Sequence, residues 1–219
     1  MRFTERLTGL KRWVYKELCE GRVMKAPAED MDIGKIKYQE PTCYLAWAPS
    51  KVDKMGNVQE LPLSTIPGIL IMPNQAYAKY MEEKRFDRYN NIHRPQGMGQ
   101  NLSVSILFSV YEPGVRLPGF VDSVGEKGKG LDPTLILDGT EQGLFTVFNW
   151  MDDCMTKLLG QRVIPDTDLF VQDESVTYSL YTDQNYVVDR RPLYYGFVNV
   201  SFFCHANEAV NPEIEKLLL

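Results

Sequence analysis

Two segments of this 219-residue chain alternate apolar and polar side chains with a period of two. In the first, Leu102 to Tyr111, apolar residues alternate with serines. The second, Leu193 to His205, has apolar residues at every other position of its later half and contains Gly196. The residues predicted to share a buried face are Leu102, Val104, Ile106, Phe108 and Val110 in the first segment, and Val198, Val200, Phe202 and Cys204 in the second. Because successive side chains of a strand point to opposite faces, both segments are predicted strands. Gly196 predicts a bulge or a close backbone approach.

Between these strands, apolar residues recur with the period of an α-helix. They are Leu144, Val147, Phe148, Met151, Met155 and Leu158, opposite a polar face of Asn149, Asp152, Asp153, Thr156 and Lys157. This stripe predicts an amphipathic helix, capped by Asp138 or Thr140 and ended by Gly160. Trp150 and Cys154 widen the apolar surface, which predicts a second contact surface. Asp152 and Asp153 diverge by about 100° around the helix, so both cannot address one metal ion.

A second helix is predicted near the N-terminus. Apolar residues follow one helical face from residue 3 to residue 20, and Gly21 stands where a glycine ends many helices. The stripe consists of Phe3, Leu7, Leu10, Val14 and Leu18, and the basic residues Lys11, Arg12 and Lys16 lie on its flanks. We interpret these basic residues as a solvated face rather than a phosphate-binding one.

The remaining segments complete the predicted fold. Short strands are expected at Cys43–Ala48, at Gly68–Met72 (ended by Pro73-Asn74) and at Leu169–Tyr181, with a connector over Ala26–Gln39 and a helix over Ala76–Arg88. The predicted class is α+β, a mostly antiparallel sheet packed by the N-terminal helix and the central amphipathic helix. We expect a single domain over residues 1–219, with a long Gly-rich loop over about 112–134 and a short helical tail over about 211–219.

Composition limits the environment and the partners. A formal net charge of −5 has the same sign as nucleic acid and anionic lipid, so it disfavours global attraction to either. None of the four cysteines lies in a CxxC spacing, which predicts reduced, buried thiols in a cytosolic setting. The polar start MRFTERLTGLKRW and short apolar runs such as Ile69–Met72 predict neither a secretory leader nor a membrane span.

Motifs of catalysis are missing from the sequence. Its two histidines, His93 and His205, have no partner at a recognisable spacing, and GxSxG, HExxH and Rossmann patterns are absent. The glycine-rich piece Gly125–Gly130 lacks the GxxxxGK[ST] frame of a phosphate-binding loop. We therefore predict no enzyme, no cofactor and no metal site, although carboxylates from distant segments remain free to converge in the fold.

Three landmarks in order carry a family resemblance. They are the strand leading into Val110-Tyr111-Glu112-Pro113-Gly114, the Asp138-Gly139 entry to a helix with Asn149-Trp150-Met151-Asp152, and the Gln172-Asp173 strand followed by Arg191–Phe197. Over roughly residues 67–208 the chain resembles the tail-terminator (tail-completion) proteins of tailed bacteriophages from Gram-positive hosts. It departs from that pattern at Asn185–Asp189, where the related segment is proline-rich.

The resemblance implies a virion protein that forms a hexameric ring. Such a ring caps the tail tube, stops its polymerisation and joins the tail to the head-side connector or neck proteins, while DNA passes its channel without specific binding. Adjacent roles stay open: a head-completion or neck protein, or a tail-tube subunit. An uncharacterised cytosolic enzyme is the remaining alternative.

Several residues are candidate assembly contacts. Lys127 and Lys129 lie in the Gly-rich loop, and Arg85 and Arg88 lie in a basic-aromatic segment that we interpret as a surface loop rather than a clamp for single-stranded nucleic acid. Tyr194 and Tyr195 begin the last strand. The terminal Leu217, Leu218 and Leu219 need a place to be buried, either an intersubunit groove or the core of their own chain.

Overall fold

A computed structural model describes residues 2–27, 36–48, 51–52, 58–59, 65–80, 98–113, 133–183, 186–187 and 192–205. The helices are α1 (Phe3–Val14), which continues into a π-helical turn (Tyr15–Cys19), and α2 (Pro133–Gln161). A 3-10 turn covers Asp173–Ser175. The strands are β1 (Met24–Ala26), β2 (Lys37–Gln39), β3 (Thr42–Leu45), β4 (Lys51–Val52), β5 (Val58–Gln59), β6 (Gly68–Tyr80), β7 (Met98–Tyr111), β8 (Phe170–Val171), β9 (Thr177–Leu180), β10 (Thr182–Asp183), β11 (Tyr186–Val187) and β12 (Leu193–His205).

The main sheet has six strands in the order β3-β6-β7-β12, with β8 and β9 both pairing along the far side of β12. The pairs β6–β7, β7–β12, β12–β8 and β12–β9 are antiparallel, whereas β3 runs parallel to β6. The other strands form the antiparallel pairs β1–β2, β4–β5 and β10–β11. The prediction of an α+β fold with a mostly antiparallel sheet and an N-terminal helix is confirmed.

The two alternating segments form the centre of this sheet. β12 pairs with β7 along its whole length, from Leu193 opposite Tyr111 to His205 opposite Gly99. Every residue predicted for the buried face of either strand is at most 2% exposed. Paired strands with one covered face explain the alternation, because the side chains on that face leave water together. Gly196 marks a close approach, as a Cβ there would lie 2.6 Å from Met151 Sδ.

Both helices contribute to the hydrophobic cluster of described residues that covers this face. α1 packs against β3, and α2 packs against β7 and β12. Trp150 of α2 meets Phe108 of β7 edge to face, with ring centroids 5.2 Å apart. In α1 the predicted stripe is buried at Leu7, Leu10 and Val14, and at Leu18 beyond it, but Phe3 remains 40% exposed.

The π-helical turn that follows α1 contacts α2. Here the Glu20 N–H donates to Tyr15 O at 2.9 Å, five residues back. Two carbonyls of the turn accept bonds from α2 instead: Trp150 Nε1 donates to Leu18 O at 3.0 Å, and Lys157 Nζ donates to Glu17 O at 2.5 Å. The segment ends at Gly21, whose φ of 73° suits glycine, as the sequence predicts.

The start and the rotation of α2 differ from the predictions. The helix begins at Pro133 rather than at Asp138, so neither Asp138 nor Thr140 caps it, and proline suits a first helical position. Trp150 and Cys154 are fully buried, so the predicted second contact surface at these residues is wrong. Docking of α2 on α1 turns this side of the helix inward.

The structure of β6 corrects two further predictions. The strand continues through Pro73 to Tyr80, so it does not end at Pro73-Asn74, and residues 76–80 are not helical. A register shift between Pro73 and Gln75 accommodates a proline that cannot donate to the ladder. Pairing with β7 overrides the local helical pattern. The rest of the predicted helix, residues 81–88, lies outside the described residues.

Smaller differences concern the connector and the strand after α2. The ends of the predicted Ala26–Gln39 connector pair as β1 and β2, whereas residues 28–35 lie outside the described part. The predicted Leu169–Tyr181 strand is divided into β8, the 3-10 turn and β9. Ser175 accounts for this division, because its Oγ donates to Gln172 O at 2.6 Å and closes a turn.

Other predictions can be followed only in part. All four cysteines are buried and free, as predicted. Burial raises the pKa of the Cys154 and Cys204 thiols, and a hydrogen bond with Cys43 raises the pKa of Cys19. In the described part of the chain, no helix is both long and apolar enough to cross a membrane. The Gly-rich segment 114–132 and the tail 211–219 lie outside the described residues.

Candidate assembly surfaces

The first candidate surface lies at the edge of the sheet formed by β9, next to α2. Because α2 is turned toward α1, its other flank is left half-buried or exposed, with Phe145 53% and Leu159 38% exposed. Phe148 on this flank meets Tyr178 of β9 edge to face at a centroid distance of 6.1 Å, and Tyr178 is itself 50% exposed. Among the described residues, no strand pairs with the outer edge of β9. We call Phe145, Phe148, Leu159 and the outer side of β9 the α2–β9 surface.

This surface is acidic. Glu141 and Asp152 are exposed on α2, and Glu174 is exposed in the turn just before β9. The other two charged side chains in the described part of α2 point toward the segment that follows α1. There Asp153 pairs with Arg22, and Lys157 pairs with Glu17 at 3.0 Å. The α2–β9 surface therefore combines apolar side chains with carboxylates.

The second candidate surface lies at the opposite side of the sheet, where β3 is the outermost strand of the described part. Just beyond β3, Trp47 is 84% exposed. The backbone N–H of Trp47 donates to Leu45 O at 2.8 Å, and the intervening Ala46 has a φ of 64°. That tight turn is costly for a residue with a Cβ, so a strained backbone presents a tryptophan to solvent.

α1 supplies the charge of this second surface. Its exposed or half-buried cations are Arg2, Lys11, Arg12 and Lys16, and the exposed carboxylates of the same segment are Glu5 and Glu20. Tyr15, 40% exposed, donates to Glu40 Oε1 at 3.2 Å, and the charge of Glu40 raises the pKa of Tyr15. We call the outer side of β3, Trp47 and the exposed flank of α1 the α1–β3 surface. The exposed and half-buried charges of α1 on this surface sum to a net positive charge.

The predicted contacts Tyr194 and Tyr195 are half-buried and face opposite sides of the sheet. Tyr194 packs against α2, where the ring lies so close to Gly143 that a Cβ there would be 2.3 Å from it. Tyr195 lies on the side away from the helices, and its carbonyl accepts a bond from the Tyr181 N–H at 3.1 Å. Neither is part of the two surfaces defined above.

The other predicted contacts lie outside the described residues. They are Arg85, Arg88, Lys127, Lys129, Leu217, Leu218 and Leu219, and for these the assembly role stays a prediction.

Sequence reasoning misses two residues of these surfaces, Trp47 and Phe145. Trp47 lies inside the predicted buried strand Cys43–Ala48, but β3 ends at Leu45 and the turn at Ala46 leaves Trp47 exposed. Phe145 falls outside the predicted stripe of α2, and its position just off the stripe is the available signal.

One buried polar cluster is also missed. Arg6 is 2% exposed, and its Nε and Nη2 donate to the two carboxylate oxygens of Asp168 at 2.7 and 2.6 Å. Its Nη1 donates to Gln100 Oε1 at 3.0 Å. These bonds connect α1, β7 and the segment after α2, which is a structural role.

Comparison with known proteins adds no family. No protein-family model matches this sequence, and no curated protein does either. Within the described residues, no group of three or more histidine, cysteine, aspartate or glutamate side chains is arranged to hold a metal ion.

Proposed function

We propose that this protein is a structural subunit of a tailed bacteriophage, a tail terminator that caps the tail tube as a ring. The ring stops tube polymerisation and joins the tail to the head-side connector or neck proteins. Its partners are other copies of itself, the tail-tube protein and the connector, and DNA passes through its channel without specific binding. It belongs to the virion, after assembly in the host cytoplasm, and performs no catalysis.

The observation in the structure that best supports this proposal is the α2–β9 surface. An outer strand edge next to exposed aromatic side chains is suited to protein association, because exposed apolar patches and strand edges favour contact with another chain. Function of this kind depends on surface complementarity. The ordered landmarks of the family resemblance, from Val110 to Phe197, supply the specific role.

Electron microscopy of virions tests the proposal. A small-particle label on a tagged copy of the protein should mark the head-proximal end of the tail, at one position per virion. Host cells infected with a phage that lacks the gene should accumulate tubes of uncontrolled length.

Two results would contradict it. Label along the whole tail would identify a tail-tube subunit, and a knockout with normal tails but unjoined heads would identify a head-completion or neck protein.

A further inference from the structure

We infer that the α2–β9 surface of one copy binds the α1–β3 surface of the next, head to tail. The occupant of each surface is therefore a second copy of this chain. This inference rests on the proposed function, because it specifies how the subunits of the ring meet.

Charge is the first support. The α2–β9 surface carries Glu141, Asp152 and Glu174, next to the paired Arg162 and Asp173. The α1–β3 surface carries Arg2, Lys11, Arg12 and Lys16 against three carboxylates, Glu5, Glu20 and Glu40. Opposite charges on two surfaces steer their encounter and set their register. Two α2–β9 surfaces placed against each other would instead bring carboxylates together. The charges therefore favour contact between unlike surfaces.

Strand direction is the second support. β3 runs parallel to β6, and the antiparallel steps from β6 through β7 and β12 to β9 leave β9 running opposite to β3. When two copies stand side by side with their sheets facing the same way, β9 of one meets β3 of the next as antiparallel strands. Each of these strands has four residues, so their lengths match.

The helices follow from the same placement. Both helices cover the same face of the sheet, α1 at the β3 side and α2 at the β12 side. Side-by-side copies therefore bring the acidic flank of α2 to the basic flank of the neighbour's α1, and bring the exposed Phe145 and Tyr178 toward the neighbour's Trp47 and Tyr15. Buried aromatic side chains supply much of the affinity of protein interfaces. A contact between two different surfaces closes into a ring when the rotation between copies allows it.

Two variants test the inference, each with one of the two surfaces disabled; we call them blocked variants. Phe145→Ser/Asp152→Lys removes an aromatic side chain from the α2–β9 surface and reverses one charge there. Trp47→Ser/Arg12→Glu does the same on the α1–β3 surface. All these side chains are exposed in the described structure, so each variant should keep the wild-type circular dichroism spectrum.

Wild-type protein should sediment as a ring, and each blocked variant alone as a monomer, with association weakened at least about tenfold. A mixture of the two should form one-to-one dimers and nothing larger, since each variant keeps the surface that its partner lacks. As a charge control away from both surfaces, Val23→Lys adds a positive charge at an exposed position before β1 and should leave the ring intact.

Several outcomes would overturn the inference: a wild type that stays monomeric over the whole concentration series, a blocked variant that still forms rings, or a mixture that stays monomeric while the wild type assembles. Failure of the proposed function is distinguishable. Rings with the expected blocking pattern would then form, but loss of the gene would leave tail length unchanged.

Discussion

Arg6 is the residue whose environment departs furthest from what its type suggests. A guanidinium group is rarely buried without partners. Here it forms a bidentate ion pair with Asp168 and a third hydrogen bond to Gln100. The pair holds the first turn of α1 against the segment that follows α2. Removing one partner of such a pair leaves the other charge poorly solvated.

We therefore predict that Arg6→Ala lowers the free energy of unfolding by about 2–4 kcal/mol. Arg6→Lys should recover only part of this loss, because a lysine cannot form the two-pronged contact. Urea unfolding followed by circular dichroism measures both variants. Equal stability of Arg6→Ala and wild type would contradict the role assigned to the pair.

The same pair predicts a dependence of stability on pH. Hydrogen bonding to Arg6 lowers the pKa of Asp168 in the folded protein, whereas the pKa of an unfolded aspartate is about 3.9. The resulting stabilisation is complete above about pH 5 and is lost as the pH falls through the folded-state pKa.

We expect the urea midpoint of the wild type to fall more steeply below about pH 4 than that of Asp168→Asn. Asp152→Asn, at an exposed position of α2, serves as the control and should keep the wild-type steepness. Parallel pH curves for the wild type and Asp168→Asn would show that this carboxyl group does not contribute.

At the scale of elements, the rotation of α2 decides which side chains are core and which are surface. The helix is turned so that Trp150 and Cys154 join the core, and Phe148 and Met155 become its partly buried margin. Close contact at Gly143 fits this rotation, because the ring of Tyr194 occupies the space of a Cβ. The docking of α2 on β12 thus depends on a glycine within a helix.

Gly143→Ala is predicted to lower the free energy of unfolding by about 1–2 kcal/mol, because overpacking costs more than the gain in helix propensity. In a Tyr194→Ala background the same substitution should cost much less. Thermal or urea unfolding of the four proteins in this cycle measures the coupling.

Gly160 provides the control in the same helix. A Cβ at this position would meet no other side chain or strand within 4 Å, so Gly160→Ala should raise the free energy of unfolding by about 0.5–1 kcal/mol.

Strictly additive effects of Gly143→Ala and Tyr194→Ala on the free energy of unfolding would count against a contact between these two residues.

For the whole molecule, we predict that assembly involves the Gly-rich segment 112–134, which the sequence predicts to be a loop, as well as the two sheet edges. Charge reversal at Lys127 and Lys129 should reduce tail assembly without unfolding the protein, because long glycine-rich loops are often functional. Tail yield in complemented infections measures assembly, and circular dichroism measures folding. Normal tails with the reversed charges would remove this loop from the set of contacts.

The sequence alone determined the strands β7 and β12 and the presence of both helices. Their alternating or helical spacing reports one buried face, and burial of that face is a local requirement of each element. The sequence also predicted a bulge or a close approach at Gly196, of which the close approach is found, and the burial of the cysteines. For this reason the α+β class followed from periodicity.

Only the tertiary structure decided the extension of β6 through Pro73, the side of α2 that meets the core, the buried Arg6 pair and the exposure of Trp47. Each of these depends on a partner or turn that periodicity does not report: β7 for β6, the π-helical turn for Trp150, Asp168 for Arg6 and the turn at Ala46 for Trp47. Periodicity shows that a face is buried, but it does not show against what. The free energy of packing is shared between segments, so the residues left at the surface emerge only when the segments meet.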